Sequence, residues 1–204
     1  MINIAAGWEN ACRFAGVRYR PFELTPEQRT EFLQLEYTFE MGQISTNEFT
    51  RGFVLLTNDQ YTAEEIAAVY LAVIQEELPG INEIVAGLQA DGYRTACLSN
   101  TCELHWPVLT DPAIYPAIGR LDAHHASHLF GVRKPDEAIY RCFERATGTA
   151  PAEILFFDDR PENVQAARDC GWHAAQIHRD RPAAEQIREV LGEHGIVVKV
   201  SSEQ

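Results

Sequence analysis

Three short polar stretches of this chain combine residue types suited to holding a charged oxyanion. Asp158 and Asp159 stand side by side at the end of the apolar run 154–157. Two like charges at one spot repel, and each ionised carboxylate is costly to desolvate. A positive group is therefore expected against them. Paired carboxylates hold a hard divalent cation such as Mg²⁺ through their oxygens. In "LSNT" (residues 98–101), the Ser99 hydroxyl with turn N–H groups can hold an anion. In "GVRKPD" (131–136), Lys134 supplies a point charge. The 17 basic residues comprise 15 arginines and two lysines, Lys134 and Lys199, so a lysine kept here points to a need for a compact ammonium rather than a planar fork. Together the three stretches describe a site for a phosphate group and Mg²⁺.

The elements that must position these residues follow from local pattern. Thr25-Pro26-Glu27-Gln28, Ser45-Thr46-Asn47-Glu48 and Thr62-Ala63-Glu64-Glu65 have the form of capping boxes. Each precedes apolar residues at helical spacing, so residues 25–76 read as helical, with a further helix at 7–15. After Pro79-Gly80 the pattern turns to alternating helices and strands. Helices are expected at 81–91, 135–147, 163–170 and 181–194, and strands at 93–98, 122–127, 154–157 and 173–178. This alternation predicts a doubly wound α/β sheet, in which ligands bind beyond the carboxyl ends of the strands. The three polar stretches fall at such ends.

Composition narrows the function. At 46% apolar and 23% charged, the chain reads as globular, and no apolar run approaches a membrane span. A formal charge of −13 disfavours nucleic-acid and anionic-membrane partners. Five cysteines, odd in number and without a CxxC pair, fit reduced thiols and a cytoplasmic protein better than a disulfide framework or zinc site. "HHASH" (124–128) does not converge on a metal, because on a strand His125 points away from His124 and His128.

"CLSNT", "GVRKPD" and "FFDDRPENVQAA", in this order and spacing, resemble the second, third and fourth motifs of the haloacid dehalogenase-like (HAD) hydrolase superfamily. The resemblance covers nearly the whole chain and implies a Rossmann-like α/β core (1–14 and 77–204) with an inserted all-helical cap (15–76). It implies Mg²⁺-dependent hydrolysis of a small phosphorylated metabolite through an aspartyl-phosphate. Ser99 and Asn100 would bind phosphoryl oxygens, Lys134 would steady nucleophile and phosphate, and Asp158 and Asp159 would hold Mg²⁺. The acidic pair favours a phosphatase over the metal-free dehalogenases of the family.

One motif is missing. The family's attacking aspartate lies in an Asp-x-Asp at the end of a first, central strand, whereas this sequence has no Asp-x-Asp and its first aspartate is Asp59. The sequence-based expectation is that the natural protein starts upstream and that the chain as printed is inactive. The alternative is a noncatalytic relative that binds a phosphorylated ligand. Either way, the strands at 93–98 and 154–158 would flank a vacant slot roughly 10 Å wide, twice the ~4.8 Å spacing of paired strands. Ile196–Val200 is a spare β-like segment, Met1–Ile4 is too short to span the core, and an open or distorted sheet centre is expected.

Overall fold

A computed structural model describes residues 2–198. The chain begins with a short strand, β1 (Ile2–Ile4), and helix α1 (Gly7–Ala15). Three helices follow: α2 (Pro26–Glu40), α3 (Thr46–Leu56) and α4 (Ala63–Leu71). Their N-caps are the capping boxes read from sequence. Thr25, Ser45 and Thr62 each accept the N–H three residues on, and Gln28, Glu48 and Glu65 reach back to the cap N–H. These helices bury Phe39, Phe49, Phe53, Ile66, Val69 and Tyr70 in one cluster, with Phe39 and Phe49 stacked at 4.4 Å between centroids. Ala11 and Cys12 of α1 complete it, so α1 packs its buried face with the cap.

Helical expectation overran at the end of this segment. α4 stops at Leu71, and Ile74–Glu77 form β2, which pairs antiparallel with β1. The β-branched pair Val73-Ile74 suits a strand once Ile2–Ile4 supplies a partner, a long-range pairing that helical periodicity cannot register.

The α/β part runs α5 (Ile81–Ala90), β3 (Ala96–Ser99), short α6 (Trp106–Leu109) and α7 (Pro116–Gly119), then β4 (Ala123–Ala126) and short α8 (Ser127–Phe130). It continues with α9 (Glu137–Thr147), β5 (Leu155–Asp158), α10 (Pro161–Asp169), β6 (His173–Gln176) and α11 (Ala183–Glu193). The architecture is Rossmann-like α/β with a helical cap. Ile196–Val198 forms no strand, though Ile196 and Val198 pack partly against the α5–α11 cluster, and positions 199 and 200 of that β-like segment lie outside the described residues.

The sheet is split. β3 pairs in parallel with β4, and β5 pairs in parallel with β6, but among the described residues β3 and β5 are not hydrogen-bonded to each other. The inner edges of both strands line a cavity of about 1780 Å³ that continues up to the cap. β5, "LFFD", is among the most apolar runs of the chain, yet each of its residues is only half-buried. A strand of this composition normally sits covered on both faces.

Candidate active site

Ser99 and Asp158 end their strands, Asn100 and Asp159 follow directly, and Lys134, in the loop after α8, joins them. Its Nζ donates to the Leu98 carbonyl at 2.7 Å and to Asp158 Oδ2 at 2.7 Å. One ammonium thus bridges the end of β3 to the end of β5. Its position is enforced from behind. Asn100 Oδ1 accepts from the Lys134 N–H, and Asn100 Nδ2 donates to the Lys134 carbonyl, both at 2.9 Å. An asparagine amide matched to both polar groups of one residue is a clamp, so the side chain of Asn100 is spent on Lys134 and only its backbone can face an anion. Ser99 also lines the cavity, and its hydroxyl makes just one long contact, 3.5 Å to the Asn100 carbonyl. Thr101 adds a hydroxyl that sequence reading did not single out. Its residue is buried and its Oγ1 has no hydrogen-bond partner among the described residues.

Asp158 is a buried carboxylate held by three donors. Besides Lys134, Oδ1 accepts from the Arg160 N–H and from Asn163 Nδ2, each at 2.9 Å. Burial alone would raise its pKa, but the Lys134 charge and hydrogen bond, with help from Arg160 and Asn163, hold it below the usual carboxylate range. Asn163 is itself fixed by the Tyr140 hydroxyl, which donates to its carbonyl at 2.8 Å.

Asp159 faces elsewhere. Asp159 lies just past the end of β5, in the bend that follows, and its carboxylate accepts from Arg179 Nε at 3.0 Å. The positive partner expected against the acidic pair is thus two separate cations, Lys134 for Asp158 and Arg179 for Asp159. A divalent ion is not required to explain the doublet.

The donor set nonetheless keeps room for a hard cation. Asp158 Oδ2 accepts one hydrogen bond and retains a lone pair, and Asp159 Oδ1 accepts none among the described residues. Two carboxylate oxygens completed by water and phosphate oxygens suit Mg²⁺, which seldom needs an all-protein cage. Among the described residues no group of three His, Cys, Asp or Glu side chains could form such a cage.

The histidines of "HHASH" disperse as expected: His124 meets the Ile118 carbonyl, His128 the Thr101 carbonyl, and His125 stacks on Phe130. Cys102 is buried, which pushes its thiol up to about 12 and keeps it protonated.

Similarity to known proteins shows the family and the fold. The chain belongs to the haloacid dehalogenase-like hydrolases, whose family model matches residues 14–171. It is similar to flavin mononucleotide hydrolase 1, a chloroplastic protein of Arabidopsis thaliana, at 26% identity over 162 residues, 79% of this chain and 62% of that protein. It is also similar to a sesquiterpene phosphatase of Aspergillus oryzae, at 34% identity over 71 residues, 35% of this chain and 36% of that one. The chain therefore spans less than two-thirds of the length of either relative. In fold it matches a HAD-family enzyme of Bacteroides thetaiotaomicron solved with magnesium and inorganic phosphate, with a TM-score of 0.73 at 20% identity over 92% of this chain and 94% of that one. A HAD-like hydrolase from Porphyromonas gingivalis gives 0.67 at 25% identity over 80% and 90%. No helix among the described residues is long and apolar enough to cross a membrane.

Proposed function

We propose that the site binds the phosphoryl group of a small phosphomonoester, as a phosphatase-type member of the family would. The observation that carries this reading is the Lys134 ammonium held between Leu98 and Asp158. Two of its three N–H donors are engaged within the chain, and one is left for a ligand oxygen. Ser99 offers a hydroxyl with one weak partner, and the backbone of Asn100 lies beside it. Asp158 and Asp159 would hold Mg²⁺, which when bound supplies neutralising charge to the phosphoryl oxygens. The low pKa of Asp158 keeps it ionised for that task at neutral pH. The phosphatase and hydrolase activities of the relatives support the assignment of reaction class. Free cysteines throughout the described residues and the net charge support a cytoplasmic setting without nucleic-acid partners.

Hydrolysis by this route needs a carboxylate to attack phosphorus, and Lys134 and Ser99 position a phosphate without replacing that nucleophile. Lys134 makes its ion pair with Asp158, whose carboxylate is held by three donors in all. The 204-residue chain is therefore expected to bind phosphate and not to turn over its esters. Isothermal titration of inorganic phosphate and a p-nitrophenyl phosphate assay with Mg²⁺ test this together. Phosphate binding that is lost in Lys134→Met, with no product release, is the expected result. Mg²⁺-dependent release of p-nitrophenol overturns the inactivity, and absence of any phosphate binding overturns the site. Fusing a strand that ends in Asp-x-Asp ahead of residue 1 is expected to switch hydrolysis on.

A further inference from the structure

One acid lining the cavity, Glu36, makes no ion pair with any side chain of the described residues. α2 turns Glu36 and Glu40 toward the site. Glu40 pairs with Arg133 at 2.8 Å, and Arg133 lies 3.9 Å above the Tyr37 ring, so both charges of this pair are already matched. Glu36 has a neutral partner instead. The Tyr70 hydroxyl donates to its Oε1 at 3.3 Å, and Oε2 has no hydrogen bond among the described residues. Tyr70 is in turn fixed by His105, which stacks on its ring at 4.8 Å and donates from Nε2 to its carbonyl at 2.8 Å. Glu36 is therefore held in place with one oxygen left over in the cavity that also contains Lys134. Burial raises its pKa, the Glu40 charge adds to that, and Tyr70, Arg133 and Arg160 pull the other way. A carboxyl group kept partly from water and short of donors gains most from a ligand that brings one.

Resting on the phosphate-site reading above, we propose that Glu36 is a specificity-determining residue that selects a phosphate ester whose alcohol part carries an ammonium group. Such a ligand is dipolar. Its phosphate end meets Lys134 and its ammonium end meets Glu36, forming a charge-assisted hydrogen bond that a plain alkyl chain cannot make. The net charge of −13 also disfavours ligands with a second anionic group.

Titration calorimetry at pH 7.5 with the 204-residue chain tests the idea, using aminoalkyl phosphates of two to five carbons and the alkyl phosphates of matching length. At least one aminoalkyl member is expected to bind about tenfold more tightly than its alkyl partner, the typical worth of one charge-assisted bond. Glu36→Gln, which keeps the shape, is expected to abolish that gain while the alkyl series still binds. Absence of an aminoalkyl advantage at every length, or an advantage that persists in E36Q, overturns the assignment of Glu36 while leaving the phosphate site standing. Failure of inorganic phosphate and of every ester to bind overturns the phosphate site itself, and this inference with it.

Discussion

Replacing Lys134 by Met isolates what the bridge between β3 and β5 is worth. The side chains of Lys134 and Asp158 are only 8% and 7% exposed, so the pair lies where solvent screens little. Removing one partner of a buried ion pair leaves the other charged and unmatched, which costs about 3–5 kcal/mol. Asp158 keeps its bonds from the Arg160 N–H and Asn163, so the lower end of that range, about 3 kcal/mol, is expected for Lys134→Met. For a chain of this size that corresponds to a fall in Tm of roughly 6–12 °C. The double variant Lys134→Met with Asp158→Asn removes both charges and is expected to recover to within about 1 kcal/mol of the parent, because replacing both members of a buried pair is often neutral. Urea unfolding at pH 7.5, followed by circular dichroism, gives the coupling energy from the four chains of the cycle. Should the single variant be too unstable to fold, the double variant still reports. A single-variant loss below about 1 kcal/mol, or a double variant no more stable than the single, refutes the claim that an unmatched Asp158 charge is the penalty.

Two further outcomes follow from burial. His105 is buried and neutral, with a pKa pushed below 6.5 by desolvation, and the buried sides of His125 and His128 act in the same direction. Because the unfolded chain binds protons more readily, stability is complete above about pH 6.5 and falls as pH drops below it; urea midpoints at pH 7.5 and 5.5 should show the loss, with a shallower dependence in His105→Gln, and equal midpoints would contradict it. The half-buried Phe156 and Phe157 at the open edge of β5 should make the native chain bind an apolar dye such as anilinonaphthalene sulfonate and unfold at modest temperature, whereas a dye-silent chain with a sharp, high-temperature transition would show that the slot is closed in solution.

Much of this molecule was legible where a signal is local. The three capping boxes fixed the starts of α2, α3 and α4 because each box is complete within four residues. Lys134 stood out through the scarcity of lysine and its place beyond a strand, and it proved to be the group that joins β3 to β5. What escaped depends on partners far apart in sequence. Arg179 meets Asp159 from twenty residues away, Glu36 meets Tyr70 from thirty-four, and Arg133 meets Glu40 from ninety-three. No periodicity encodes such pairs. β2 was missed for the same reason, since its strand character rests on Ile2–Ile4 arriving beside it. For the acidic doublet the sequence displayed the two adjacent carboxylates but not their protein partners, since Lys134 lies twenty-four residues from Asp158 and Arg179 twenty from Asp159.

The split sheet and the site are two aspects of one arrangement. With no backbone ladder between β3 and β5, the relative placement of their carboxyl ends rests on side chains, and the Lys134 ammonium spans that gap directly. The bridge is anchored on three sides: by the Asn100 amide against its backbone, by the Phe156 ring 5.2 Å from Nζ, and by the Asp158 carboxylate that Asn163 and Arg160 hold from below. A phosphate drawn to Nζ would therefore bind a group already responsible for holding the two halves together. Ligand binding and sheet closure draw on the same ammonium, so whatever pairs the open edges of β3 and β5 also sets how well the site is formed. Stability and phosphate affinity should consequently move together in variants that alter the slot, and independently in variants confined to the cap.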